Sequence, residues 1–283
     1  MSIQSPSIAK GMVWCEVRRD AVRVAGADAE TYLQGQCSQD VAAVGVGGSA
    51  WTFLLQPTGK VDVLARVTRL ADGFVLDTDG GYGGALADRL RRFLLRTKAT
   101  IEPLAWRCIA VRNPGPRLVT MGAAVIARAD WHGRPGFDIL GDTVEPPLGA
   151  TRIEPPAYER LRVEAGWPAM GAELTADTIP AESGVVAEAA SFTKGCYTGQ
   201  ELVARIDSRG GHVPRLLRHV RLTRPAKPGA ARHVDGHDVG RLTSVAGTLA
   251  LAYVSRAVEP PADTDLGTVE AIPGAAFTSA AAN

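Results

Sequence analysis

The apolar positions of this chain change period along its length, and those changes mark out strands and helices. Residues 61–67 alternate, with Val61, Val63, Ala65 and Val67 on one side and Asp62, Leu64 and Arg66 on the other, the period of a strand. An apolar run at 51–56 precedes it, and Pro57-Thr58-Gly59-Lys60 between them has turn chemistry. Asp72-Gly73 turns the chain again, into a strand at 74–76. From Ala85 to Arg96 the period lengthens. Leu86, Leu90, Phe93 and Leu94 share one helical stripe, with Arg89, Arg91, Arg92 and Arg96 facing elsewhere, which predicts an amphipathic helix behind a β-meander. Upstream, Asp28 can cap a short helix holding Tyr32 and Leu33, and Gly35 can end it.

Further strands are predicted at 108–112, 117–127 and 137–140, before a turn-rich boundary at Glu145-Pro146-Pro147. Pro155-Pro156 opens the next unit, where residues 158–165 read as a helix stopped by Gly166. Thr178-Ile179-Pro180 marks a loop. After Pro214, short strands with turns at Pro228-Gly229, Asp235-Gly236 and Ala246-Gly247 predict a small β-barrel, and the alanine-rich end from about Gly274 reads as frayed. The boundaries give three units, 1–145, 146–212 and 213–283, with no internal repeat.

Composition narrows the function classes. A chain of 283 residues, 46% hydrophobic, can bury a full core without disulfides. Its 31 basic and 30 acidic side chains leave a net charge of +1, so no long-range field gathers nucleic acid or anionic membrane onto it, and any such contact is local. Residues 1–14 hold one lysine and no run of signal-peptide length, and nowhere do about eighteen apolar residues follow one another. A cytoplasmic, membrane-free protein is expected, and a monomer. Cys15, Cys37, Cys108 and Cys196 form no Cys-x-x-Cys pair, which argues against a zinc knuckle or dithiol motif. In a reducing cytosol they are expected as free thiols.

Several clusters invite a chemical reading. Gly80-Gly81-Tyr82-Gly83-Gly84 sits between a strand and a helix, where a dinucleotide loop would sit, but Leu86 occupies the place of its third glycine and the strands around it read as antiparallel. His233-Val234-Asp235-Gly236-His237-Asp238 has metal-ligand residue types, yet Asp-Gly is a hairpin signal, so the turn is preferred and no metal site is expected. Arg89, Arg91, Arg92, Arg96 and Lys98 are either a wet surface or a face for a flexible polyanion. Lys194-Gly195-Cys196-Tyr197-Thr198-Gly199-Gln200-Glu201 differs in kind. It packs two glycines, an ammonium, a thiol, a phenol, an amide and a carboxylate into eight residues. A thiol pKa of about 8.5 leaves little thiolate at neutral pH unless Lys194 or Arg205 lowers it, so Cys196 is expected as the reactive group with Lys194 activating it.

That octapeptide resembles the signature of the YgfZ family, folate-binding proteins related to the glycine-cleavage T-protein and linked to iron–sulfur enzyme maintenance and tRNA modification. Gly26-Ala27-Asp28, Tyr32-Leu33-Gln34-Gly35-Gln36 and Asp40-Val41 are similar to the family's N-terminal segment, and Pro57-Thr58-Gly59-Lys60 to its glycine-lysine turn. Leu161-Arg162-Val163-Glu164-Ala165-Gly166, then Pro168, Gly171, Glu173-Leu174 and Ile179-Pro180, match the stretch before the signature. The resemblance covers most of residues 14–258. It implies an α+β fold: a three-part T-protein-like ring of antiparallel-sheet units ending in a β-barrel, with tetrahydrofolate or a one-carbon derivative at the centre. It also implies that Glu164 holds the pterin, accepting N3–H and the 2-amino group bidentately. Asp62, Tyr197, Gln200, Glu201 and Arg205 are further candidate folate contacts. Iron–sulfur proteins or their assembly machinery are the implied partners, with tRNA a further candidate. One departure stands out: Asp62 is followed by Val63 where T-proteins carry paired aspartates, so aminomethyl transfer is not expected. The rival readings are an aminomethyltransferase of the glycine-cleavage type and a scaffold merely stabilised by folate.

Overall fold

The computed structural model describes residues 11–114, 125–234 and 236–279. Strand β1 (Val13–Val17) passes through the single residue Arg18 into β2 (Arg19–Ala25), and the two enter different sheets. After α1 (Ala29–Gln36), a meander of β3 (Ser49–Leu55), β4 (Val61–Leu70) and β5 (Gly73–Asp79) leads to α2 (Gly83–Arg92) and β6 (Thr100–Leu104). These give an antiparallel sheet of order β3-β4-β5-β2-β6. The alternation at 61–67 explains its packing. Val63, Ala65 and Val67 meet Leu33 of α1 and Leu86 and Leu90 of α2, each large side chain contributing about 1.5–3 kcal/mol of burial. The opposite face is buried too, with Leu64 packed beside Trp51, Phe53 and Leu55 against the rest of the molecule.

The second sheet takes β1 together with β7 (Arg107–Arg112), β8 (Val125–Arg128), β9 (Gly136–Gly141) and the short β10 (Thr151–Arg152), in the order β10-β1-β7-β9-β8. Its β1–β10 pair is parallel and the others antiparallel. Of the strand expected at 117–127, residues 117–124 lie outside the described residues and 125–127 fall in β8. Residues 1–145 thus supply strands to both five-stranded sheets, and 146–212 add an edge strand and helices. Helix α3 (Pro155–Ala165) starts on two prolines, where an N–H has no partner to lose, and ends at Gly166 in the left-handed conformation (φ 73°). Helices α4 (Val186–Ala189) and α5 (Gln200–Ser208) follow.

The third sheet joins β11 (Arg215–Leu222), β12 (Ala231–Val234), β13 (His237–Ala246), β14 (Leu249–Ser255), β15 (Ala262–Thr264) and β16 (Gly267–Glu270), in the order β12-β13-β14-β11-β16-β15. Its edges nearly close. The Asp265 amide donates to the His233 carbonyl (3.2 Å), and the His233 amide to Asp265 Oδ1 (2.9 Å), around an interior of Val220, Leu242, Val254 and Val269. This is the expected barrel.

A buried chain of charge ties the two five-stranded sheets together. Arg66 on β4 donates twice to Asp77 on β5 (3.0 and 2.9 Å) and once to Asp138 on β9 (2.8 Å). Asp138 also accepts from Arg112 on β7 (2.9 Å), which donates to the Tyr158 hydroxyl (2.7 Å), and Arg19 pairs with Asp77. Burial alone would raise the Asp138 pKa, but Arg112, Arg66 and Arg19 outweigh it and hold the carboxyl at about 2.

Four local expectations are corrected. Helix α1 runs through Gly35 to Gln36, with Cys37 as its C-cap. Asp28 does not cap it, because its carboxylate accepts from the Lys98 amide (2.8 Å). Helix α2 ends at Arg92, short of Arg96, whose φ of 56° is left-handed. Of the end expected to fray, residues 274–279 are pinned, while 280–283 lie outside the described residues. Ala276 exchanges backbone hydrogen bonds with Gly184 (2.7 Å) and Val186 (3.2 Å), and the Ser279 amide and hydroxyl both reach Asp207 on α5 (2.7 Å each). Among the described residues, no helix is long and apolar enough to cross a membrane.

Candidate functional site

Three stretches that lie far apart in sequence meet at one place: the end of α1, the β3–β4 turn and the loop into α5. The Thr198 amide donates to the Gly35 carbonyl (3.1 Å). Gly199, at φ 82°, starts α5, and the Gln200 side chain closes the loop by accepting from the Tyr197 amide (3.1 Å). The Lys194 ammonium donates to the carbonyls of Gln34 (2.6 Å), Cys37 (2.6 Å) and Gln39 (3.0 Å). That uses all three of its donors, at the helix end where a cation is electrostatically favoured. Burial lowers its pKa, against the opposing pull of Cys37 and Asp40. The Tyr197 ring lies 5.1 Å from the ammonium, and burial pushes the phenol up to about 12.

The expectation that Lys194 activates Cys196 is therefore replaced: the ammonium anchors the loop to α1. Cys196 itself is exposed, whereas Cys15, Cys37 and Cys108 are buried. Burial raises the pKa of all three buried thiols, that of Cys37 to about 11. Gly195 beside Cys196 has open space where a side chain would stand. Glu201 and Arg205, one turn apart on α5, are also exposed. The loop is thus fastened on both sides of a thiol that faces outward.

Asp62, at the start of β4, lies 3.3 Å from the Arg89 guanidinium. Arg89 also donates to the Leu55 carbonyl (3.1 and 2.9 Å) and to Gln36 Oε1 (2.9 Å), and stacks over Phe93. Placing Arg89 on a wet basic face is corrected, because the residue is 2% exposed; Arg91, Arg92, Arg96 and Lys98 stay on the surface. Its spacing from Leu86 and Leu90 carried the signal, since positions 86, 89, 90 and 93 share one stripe. Glu164 projects from α3, accepts from Arg160 (2.8 Å) and keeps 28% of its side chain exposed. Its helix neighbours Leu161 and Ala165 pack into the cluster of Trp51, Trp131 and Trp167.

His132 has no candidate partner nearby in the sequence, whereas the fold pairs it with Glu188. Its Nδ1 lies 2.8 Å from Glu188 Oε1, its ring 5.3 Å from that of Trp167, and its backbone is left-handed (φ 47°). Nothing in the spacing of residues 56 apart could show this. The glycine run at 80–84 is occupied by protein: Asp20 Oδ2 accepts from the amides of Gly81 (2.7 Å) and Gly83 (2.9 Å), where a phosphate would have to bind. His233 and Asp238 pair across the β12–β13 hairpin, and among the described residues no group of three metal-ligating side chains converges.

The fold defines the class of protein. The glycine-cleavage aminomethyltransferase T of Bartonella henselae superposes over 95% of this chain and 87% of its own, with a TM-score of 0.72 at 19% identity, so the chain has the T-protein fold. No family model matches it. Among relatives, the tRNA-modifying protein YgfZ of an Enterobacter species is 30% identical over 67% of this chain and 65% of its own. The mitochondrial iron–sulfur cluster assembly factor IBA57 of mouse is 29% identical over 87% of this chain and 79% of its own. The first bacterial and plant relatives are matched over only 60% to 67% of their lengths. The chain belongs to the YgfZ family of T-protein-like proteins.

Proposed function

We propose that this chain is a tetrahydrofolate-binding accessory protein that supports assembly or repair of iron–sulfur enzymes, with a link to tRNA modification, and that Cys196 is its reactive group. The observation that carries the reading is how Cys196 is presented. Lys194, Thr198, Gly199 and Gln200 spend their polar groups and backbone on holding the loop, leaving the thiol exposed while the other three cysteines are buried. A loop fixed at both ends around an outward thiol suits chemistry on a partner better than packing. The names of the YgfZ and IBA57 relatives supply the biological setting.

A folate fits the residues at the centre on one physical ground. Trp51 Nε1, His132 Nε2 and Glu188 Oε2 are buried without hydrogen-bond partners, and buried polar groups left so cost about 1–3 kcal/mol each. A polar heterocycle whose donors and acceptors reach them would satisfy them. Glu164 would hold the pterin through N3–H and the 2-amino group, with Asp62 a further contact; the bound cofactor would supply a one-carbon carrier. Tyr197 and Gln200 serve the loop, and Glu201 and Arg205 stand at the surface for a partner. Val63 in place of a second aspartate disfavours aminomethyl transfer.

The test is thermal unfolding with reduced folates. At a hundred times the dissociation constant, tetrahydrofolate should stabilise the protein by about 2.7 kcal/mol. An unmoved melting temperature at millimolar ligand would remove folate from the account.

A further inference from the structure

The three orphaned atoms lie around one indole. Trp51 stands 5.0 Å from Trp167, ring to ring, and His132 stands 5.3 Å from it, with Glu188 bonded to His132. They come from β3, the β8–β9 connection and α4, with Trp167 just after α3, so segments distant in sequence converge here. His132 is also held in a backbone conformation that a residue with a side chain rarely adopts, and such strain persists only where the surroundings enforce it. Part of that enforcement is the C-terminal segment: a Cβ added at Gly274 would lie 3.0 Å from the His132 Cβ and carbonyl oxygen.

The hydrogen bond sets the chemistry of the ring. Glu188 accepts, so in the neutral imidazole Nδ1 carries the proton and Nε2 is left as a bare acceptor. We propose that His132, its tautomer fixed by Glu188, selects the reduced over the oxidised pterin in the folate site. The inference rests on the folate reading above. Reduced pterins carry a ring N–H that the fully oxidised pterin lacks. Facing that N–H, Nε2 gains a hydrogen bond. Facing the bare nitrogen of the oxidised ring, it meets a second lone pair and both groups stay unsatisfied. Sites built to accept a ligand's N–H reject analogues lacking it far more strongly than apolar pockets reject a missing methylene. Glu188 Oε2 can accept a further N–H and Trp51 Nε1 can donate to a ring carbonyl, so the set matches a heterocycle with donors and an acceptor.

The test compares tetrahydrofolate with folic acid by anaerobic titration calorimetry, for the unaltered protein and His132→Gln, whose amide can either donate or accept. The unaltered protein should bind tetrahydrofolate at least about tenfold tighter than folic acid, and His132→Gln should bring the two within about threefold. Discrimination that survives in the variant, or equal binding by the unaltered protein, overturns the selection while leaving the folate reading intact. Binding of neither compound overturns both. Should His132→Gln not fold, the nitrogen-15 resonances of the His132 ring in the unaltered protein decide it. Nδ1 should be protonated and Nε2 bare, and the Nε2 signal should move with tetrahydrofolate but not with folic acid. A protonated Nε2 in the free protein, or equal shifts with both compounds, contradicts the proposal.

Discussion

Gly59 and Gly199 meet backbone to backbone, and neither has room for a side chain. A Cβ on Gly199 would lie 2.4 Å from the Gln56 carbonyl oxygen and 2.8 Å from the Leu55 Cβ; one on Gly59 would lie 2.4 Å from the Leu202 Cβ and 2.9 Å from the Gly199 carbonyl oxygen. Both are left-handed, at φ 85° and 82°. Two motifs 140 residues apart are therefore glycine-bearing for the same reason: the β3–β4 turn seats the loop that carries Cys196.

Gly199→Ala should accordingly cost about 1–3 kcal/mol in urea unfolding, from left-handed strain plus overlap. Gly195→Ala meets open space and should stay within about 0.5 kcal/mol. Equal effects would show that the two glycines are not distinguished by packing.

Lys194→Met keeps the length of the side chain and removes the ammonium. The carbonyls of Gln34, Cys37 and Gln39 lose their donor, so the change should destabilise by about 1–3 kcal/mol and speed hydrogen exchange at the Thr198 amide. Unchanged exchange there would mean that the ammonium does not fasten the loop.

These assignments mark how far the sequence was legible. The alternation at 61–67, the prolines and Gly166 bounding α3 and the turn dipeptides of the barrel are local signals, and each element formed near its predicted place. Arg89 was misplaced because charge was taken as a sign of exposure, although its spacing put it on the stripe of Leu86 and Leu90. Lys194 and His132 were beyond reach for another reason: their partners lie on segments brought together only by the tertiary fold. Residues 274–279 looked unstructured by composition, yet backbone hydrogen bonds at Ala275 and Ala276 pin them, and backbone pairing leaves no mark in composition.

The buried charge chain predicts an acid limb of stability. Asp138 has its folded pKa depressed to about 2 from 3.8, so its contribution is complete above the unfolded value and is lost as pH falls from about 4 through 2. The loss from this group should be about 2 kcal/mol. Asp138→Asn, itself destabilised at neutral pH because Arg112 and Arg66 lose their counter-charge, should show a shallower decline over that window in urea titrations. Parallel declines would remove Asp138 from the acid response.

The central claim is that the chemistry of Cys196, rather than its packing, carries the function. Cys196→Ser is nearly isosteric and its site is exposed, so folding and tetrahydrofolate binding should be preserved. The measurement is iron–sulfur enzyme activity in cells lacking their own family member and supplied with either form of this protein. The account predicts that the unaltered protein restores activity and the serine form, at equal abundance, does not. Full restoration by Cys196→Ser would contradict it and leave a folate-stabilised scaffold as the better description.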